Sequence, residues 1–426
     1  MKVNLDYGSK KLGIDIPDKN LLYILETKPV EPIANPKQKI IDSLYHPINS
    51  PPLGDLVGNS QDICIVISDI TRAAPTKLIL QALLSELATF GIGRDKITIL
   101  IATGLHRPNV GGELEQLVGK EIKENYRIVN HNARDRSSCK NIGKTKRGTP
   151  VILDRVYLDA DFRILTGLIE PHFMAGFSGG RKAICPGISY MDMFKHFHGP
   201  PILESPNATT GVLEGNPFHE EATEIAKMAG VDFIVNATIN KEKQTTGIFS
   251  GDLEEAHRKG AEFCLKSSQC SIREEADIVI TTGGGLPLDA TLYQAVKGMV
   301  GCLPAVKKGG MIVVASECKE EIGSKEFTDL LTGEEDLDKF MDRICNTDYF
   351  EIDQWELEEL VKARKKADIY FYSDCILNCS YSIPPNTLKT INSIQETIGA
   401  GLKKYGENAK ITVIPEGPYV IPVLEE

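Results

Sequence analysis

No stretch of this sequence approaches the ~20 consecutive apolar residues that a membrane-crossing helix needs, which argues against an integral helical membrane protein. Its first residues, MKVNLDYGSKKLGIDIP, lack the continuous apolar core of a secretory signal and alternate like a strand, so a cytoplasmic location is expected. Basic runs are missing too. With a formal net charge of −11, the chain has no clustered positive surface for phosphate backbones, and nucleic acid is excluded as the expected partner in favour of a small molecule. The ten cysteines never form a CxxC pair, a pattern expected of reduced structural thiols; Cys375 and Cys379 make a CxxxC without other paired ligands. Walker A, GxGxxG and HExxH motifs are also absent, so ordinary nucleoside triphosphates, NAD and a protein-only zinc site find no support.

What is present is a long alternation of strand and helix. At 426 residues, 42% hydrophobic and 25% charged, the chain is expected to be a globular protein of two domains. Short runs rich in β-branched residues (62–68, 96–103, 126–131, 163–169) alternate with helical stretches, the pattern of a mostly parallel sheet covered on both faces. Beyond the looping stretch GPPILESPNATTGVLEGNP come a helix, the strand DFIVNATIN and the helix LEEAHRKGAEFCLKSS. The polar segment 268–275 reads as a boundary. A second alternating series follows: strand 276–284, a helix from Leu292 to Lys308, strand 311–316, helical segments from Lys325 to Lys366, strand 367–373, a helix from Pro384 to Gly406 and strand 410–417. The expectation is therefore an α/β protein whose two domains, 1–268 and 276–426, each carry a mostly parallel sheet flanked by helices.

In open sheets of this kind ligands sit beyond the carboxyl ends of the strands. Three strand ends carry unusual polar residues: Asp69, Thr71 and Arg72; His106 and Arg107; Glu170 and His172. Each has an ordinary structural explanation: Asp69 and Thr71 as a helix cap, His106 as a surface loop residue, His172 as a packed core histidine. Their shared position at strand ends favours one site over three separate accounts. The loop Gly176-Phe177-Ser178-Gly179-Gly180-Arg181-Lys182 resembles a phosphate cradle, or else a tight turn with a solvated Arg-Lys pair. His196 and His198 lie two apart in a stretch of helical composition, where only one would reach a given site. In the second unit, Gln294 and Lys297 share a helical face next to Tyr293 and could bind a carboxylate, or be helix-surface residues.

Taken together, Ser68-Asp69-Ile70-Thr71-Arg72, Ala102-Thr103-Gly104-Leu105-His106-Arg107-Pro108, His172-Phe173 with Ala175 to Lys182, and Tyr293-Gln294-Ala295-Val296-Lys297-Gly298-Met299 resemble the nickel-dependent lactate racemase family. Asp353-Gln354-Trp355 and Val413 to Gly417 add to the resemblance, which spans nearly the whole chain. It implies an active site in the interdomain cleft and a nickel-pincer nucleotide: pyridinium-3-thioamide-5-thiocarboxylic acid mononucleotide, attached covalently to Lys182 and chelating nickel. The family's histidine metal ligand lies sixteen residues after the lysine, which lands on His198, with His196 close by. His106 and His172 match the catalytic pair, and Arg72, Gln294, Lys297 and Tyr293 the surroundings of the substrate. Asp69, Gly176, Ser178, Gly179 and Gly180 match the cofactor's neighbourhood. The partners implied are a 2-hydroxy acid and the proteins that mature the cofactor.

The chemistry accounts for these residue types. A C–H bond beside a carboxylate yields its proton reluctantly, whereas hydride transfer to a pyridinium-like acceptor leaves a planar keto acid that can be reduced on either face. A histidine on each side, with an ordinary pKa near 6.5, suits the hydroxyl proton. The expected function is racemisation or epimerisation of lactate or a larger 2-hydroxy acid; the segments GPPILESPNATTG and Ser316–Phe327 leave the side chain open. Two other readings stand beside it: a cofactor-free racemase or hydro-lyase acting through His106 and His172, and a catalytically silent ligand-binding protein of the same fold.

Overall fold

The computed structural model describes residues 1–346 and 349–425; Thr347 and Asp348, within the expected helical region, and Glu426 lie outside the described residues. The chain begins on what becomes the second unit. Hairpin β1 (Lys2–Tyr7) and β2 (Lys10–Asp15) buries Val3, Leu5 and Tyr7 on alternate positions, and β3 (Leu21–Ile24) joins the edge of the second sheet. Residues 2–24, read from sequence as part of the first domain, thus pack with the second.

The first sheet is built from β4 (Ile63–Ser68), β5 (Ile97–Ala102), β6 (Arg127–Asn130), β7 (Phe162–Leu168), β8 (Phe233–Ile239) and β9 (Thr245–Gly251) in the order β9-β8-β7-β4-β5-β6. All neighbours are parallel except β8 and β9. The first five residues of β4 and of β5 are all buried, as expected of strands covered on both faces. Helix α1 (Thr76–Thr89) covers one side, burying Ile79, Leu80, Leu83 and Leu87 at helical spacing. Strand β9 escaped the sequence reading because its seven residues, TTGIFSG, carry little apolar content.

The second sheet contains β10 (Ala276–Thr282), β11 (Val306–Ala315), β12 (Ala367–Tyr372) and β13 (Ile411–Val413), ordered β12-β11-β10-β13-β3, with a two-residue strand, Lys389–Thr390, outside β12. Every pairing in it is parallel. Helices α2 (Leu292–Gly301) and α3 (Gln354–Lys366) pack on one face. Two boundaries differ from expectation. Pro304 follows the end of α2 and the chain enters β11 at Val306, while only Ile394–Tyr405 of the 384–406 stretch is helical, capped by the Ser393 side chain. The polar segment expected to be a boundary includes a strand, Gln269–Ile272, paired with Ile421–Leu424 near the C-terminus.

In each sheet the chain steps outward in one direction and then returns to the opposite side of its first central strand, between β4 and β7 and between β10 and β13. These reversals open crevices at the carboxyl ends of the strands, and residues following β4, β7, β10 and β13 line one shared cavity. One hydrophobic cluster runs through both units, holding Val66 and Leu165 together with Val279 and Val314. Arg134 pairs with Glu326 at 2.6 Å across the junction, and the Lys362 ammonium donates to the Leu203 carbonyl. Among the described residues, no helix is long and apolar enough to cross a membrane.

Candidate active site

Asp69 follows β4 directly and is buried. One carboxylate oxygen accepts from the Thr71 hydroxyl at 2.6 Å and the Thr71 amide at 3.2 Å; the other lies 2.6 Å from His106 Nδ1. Burial opposes ionisation, but the His106 ring, the Thr71 hydroxyl and Arg72 outweigh it and hold the carboxyl below its ordinary value. An ionised Asp69 fixes the hydrogen of His106 on Nδ1 and leaves Nε2 as a lone pair. Asn109 secures the loop, accepting from the Ile70 amide at 3.0 Å while its own amide donates to Asn130.

His172 is held differently. It lies on a two-residue strand, Pro171–His172, antiparallel to Gly176–Phe177, and it is buried and stacked on Phe173 with ring centroids 5.1 Å apart. Its Nδ1 accepts from the amides of Met174 (3.2 Å) and Ala175 (3.3 Å), so the hydrogen of the neutral ring sits on Nε2. Burial, then the charges of Lys182, Lys297 and Arg72, push its pKa well below the histidine value. The two histidines therefore present opposite faces: a lone pair on His106, an N–H on His172.

Arg72 lies 3.5 Å from the Glu170 carboxylate. On α2, the Lys297 ammonium donates to Gln294 and sits 5.8 Å from the Phe173 ring centroid, bridging the units. Burial, reinforced by Arg72 and opposed by Glu356, Glu170 and Asp69, lowers its pKa from 10.5 to about 7. Tyr293 accepts a 2.9 Å hydrogen bond from Trp355 Nε1, tying α2 to α3. A cavity of about 10 Å³ is enclosed by Arg72, Glu170, His172 and Phe173 from one side and Leu288, Lys297, Pro418 and Tyr419 from the other. His106 lies outside this lining, on an exposed edge.

Behind the cavity, the Lys182 ammonium stands 4.7 Å from the Phe218 ring centroid. Burial first, then Arg72 and Arg181, drive its pKa well below the lysine value, which favours the nucleophilic amine. His198 packs against the same Phe218 ring (5.1 Å) and against Trp355 (4.9 Å). It is buried, and its Nδ1 has no hydrogen-bond partner. His196, on the same short helical turn, is exposed. Lys182 and His198 thus meet through one aromatic ring, and His196 faces away.

The glycine loop packs against protein. Gly179 and Gly180 have positive φ, and a Cβ at Gly179 would approach Asn236 Oδ1 to 2.7 Å. The Gly180 amide donates to Asn236 Oδ1 (2.7 Å) and the Ser178 amide to the Glu170 carbonyl (2.9 Å), while the Ser178 hydroxyl donates to the Leu168 carbonyl (2.7 Å). These contacts, with Gly176 pressed against Val212, aim the chain between Glu170 and Lys182; the amides of 178 and 180 are not free for an anion. Sequence reasoning passed over Asn236, Asn109 and Tyr419. Tyr419 follows a strand end of the second sheet, the signal that identified the first-unit residues.

The donor set can be judged against a tethered metal-bearing group. A depressed lysine amine and a buried histidine nitrogen without a partner share one aromatic wall, and among the described residues no three His, Cys, Asp or Glu side chains gather as a metal site. One imidazole from the protein, the remaining donors from an organic group on Lys182, fits this arrangement.

Two family models match the chain: the lactate racemase N-terminal domain over residues 7–211 and the lactate racemase C-terminal domain over residues 272–422. The sequence is 34% identical over 427 residues to a lactate racemase of Thermoanaerobacterium thermosaccharolyticum, covering 98% of both proteins. It is 33% identical over 423 residues to that of Lactiplantibacillus plantarum, covering 98% of this chain and 99% of the relative. The fold matches the lactate racemase apoprotein of T. thermosaccharolyticum with a TM-score of 0.91 at 33% identity, over 99% of this chain and all of that one. A Thermotoga maritima protein shares the fold at 18% identity, with a TM-score of 0.70 over 93% of this chain and 100% of its own.

Proposed function

The chain belongs to the lactate racemase family, and on that premise we propose that it racemises or epimerises a 2-hydroxy acid, lactate or a close analogue, with a nickel-pincer nucleotide on Lys182. The observation that carries the proposal is the pair formed by Lys182 and His198: a lysine whose amine form is favoured and a buried, unpartnered imidazole nitrogen against the same Phe218 ring. Lys182 would carry the nucleotide and His198 would ligate nickel; when bound, the group supplies a reversible hydride acceptor.

The chain's own residues do the rest. Arg72 and Lys297 bring two positive charges to the cavity wall, where they can hold a carboxylate while the hydroxyl-bearing carbon turns. His106, its Nδ1 hydrogen committed to Asp69, offers Nε2 to accept a hydroxyl proton. His172 directs Nε2–H toward an oxygen on the other side. The first unit supplies both histidines and Arg72, the second supplies Lys297, and closing them together excludes water from a developing keto acid.

The test uses protein matured with the cofactor. Intact-mass analysis should show an increase located on Lys182, metal analysis about one nickel per active chain, and polarimetry the conversion of one lactate enantiomer into the other. Activity from a preparation with unmodified Lys182 and no nickel would overturn the proposal.

A further inference from the structure

The small cavity has a neighbour. On the far side of Glu170, Pro171 and Tyr419 lies a chamber of about 280 Å³, reaching to Phe263, Lys243 and the hairpin between β8 and β9. These three residues line both spaces. If Arg72 and Lys297 take the carboxylate and His172 the hydroxyl oxygen, a substrate's side chain is left facing Thr210, Leu288, Pro418, Tyr419 and Pro171. Leu288 and Pro418 are buried, and a Cβ at Gly284 would come within 3.2 Å of the Pro418 ring and 3.0 Å of Tyr419 Cε2. Pro171 and Tyr419 also border the open chamber, which Leu288 and Pro418 do not line.

We infer that Glu170, Pro171 and Tyr419 form a partition that sets the size limit of the substrate's side chain, and that the chamber behind it is space a longer side chain would fill were the Tyr419 ring removed. The inference rests on the proposed racemase reading and assigns its specificity. The partition is anchored on both sides. Glu170 pairs with Arg72 at 3.5 Å, its amide donates to the Ser178 hydroxyl (3.0 Å), and its carbonyl accepts from the Ser178 amide. Tyr419 extends between the two spaces with the Lys243 ammonium 4.9 Å from its ring centroid; Lys243 lines the chamber alone. An aryl or long aliphatic group meets this ring, whereas a methyl group does not. Glu170 also places a negative charge where a second substrate carboxylate would arrive.

The experiment compares matured wild type, Tyr419→Ala, Tyr419→Leu and Tyr419→Phe on lactate and on 2-hydroxy-3-phenylpropanoate. Since one methylene of misfit already shifts selectivity by about tenfold or more, wild type and Tyr419→Phe should favour lactate by at least about tenfold in kcat/KM. Tyr419→Ala should raise the phenyl-to-lactate ratio of kcat/KM by at least about tenfold. Tyr419→Leu, which keeps an apolar filler, should raise it less and serves if the alanine variant does not fold. Equal use of both acids by wild type, or an unchanged ratio in the folded Ala or Leu variants, would overturn the partition alone. Matured wild type that racemises neither acid would overturn the racemase reading and this inference with it.

Discussion

Raising the pH from 6 to 8 should weaken substrate binding by about tenfold through Lys297 alone. Burial lowers the pKa of this lysine from 10.5 to about 7, with Arg72 adding repulsion and Glu356, Glu170 and Asp69 partly restoring the charge. A group titrating near 7 is about 90% charged at pH 6 and about 10% at pH 8, and only the charged form forms a charge-assisted bond to a carboxylate. The sign is distinctive. Loss of a proton from a general base makes kcat/KM rise with pH, whereas loss of the Lys297 proton makes it fall. Initial rates on one lactate enantiomer, measured by polarimetry from pH 5.5 to 9, should show the falling limb in kcat/KM, carried by a rise in KM. Lys297→Arg, charged throughout, should flatten that limb even with poorer absolute affinity. Lys297→Met should remove it and cost about 10–100-fold in kcat/KM, the equivalent of one hydrogen bond to a charged group. A wild-type KM that is flat from pH 6 to 8, or the wild-type slope retained in both variants, would refute the argument.

The remaining predictions address the cofactor pair, the histidines and the loop. His198→Ala should keep the mass increase on Lys182 but lose nickel, while the exposed His196→Ala keeps both; the reverse result by mass and metal analysis would reassign the ligand. His106→Ala and His172→Ala should each abolish racemisation, and Asp69→Asn, which no longer fixes the His106 tautomer, should lower kcat by about 100-fold or more in steady-state assays. Gly179→Ala combines a φ of 79° with a Cβ 2.7 Å from Asn236 Oδ1 and 2.8 Å from Ile169, so it should lose at least about 2 kcal/mol in urea unfolding; an unchanged midpoint would contradict the packing role given to the loop.

The alternation of β-branched runs with helices was enough to establish two parallel α/β sheets, because strands buried on both faces must be continuously apolar and that property is local. The three polar clusters at strand ends were equally legible: Asp69 follows its strand directly, His106 and His172 follow theirs within four residues, and only the strand order was needed to bring the three strand ends side by side. Other features depend on distant chain. The first 24 residues carry the pattern of a hairpin and a short strand, but nothing local says that the strand Leu21–Ile24 pairs with Ile411–Val413 at the far end of the chain. The glycine loop looked like an anion cradle in sequence, and Asn236 and Glu170, brought to it by the fold, take the amides of 180 and 178 instead. Residue types and spacing defined the chemistry available to this protein. Tertiary structure decided which nitrogen of each histidine carries hydrogen, that His198 faces Lys182 while His196 faces away, and that Tyr419 separates two cavities, since each depends on a partner that only folding brings within hydrogen-bonding or van der Waals reach.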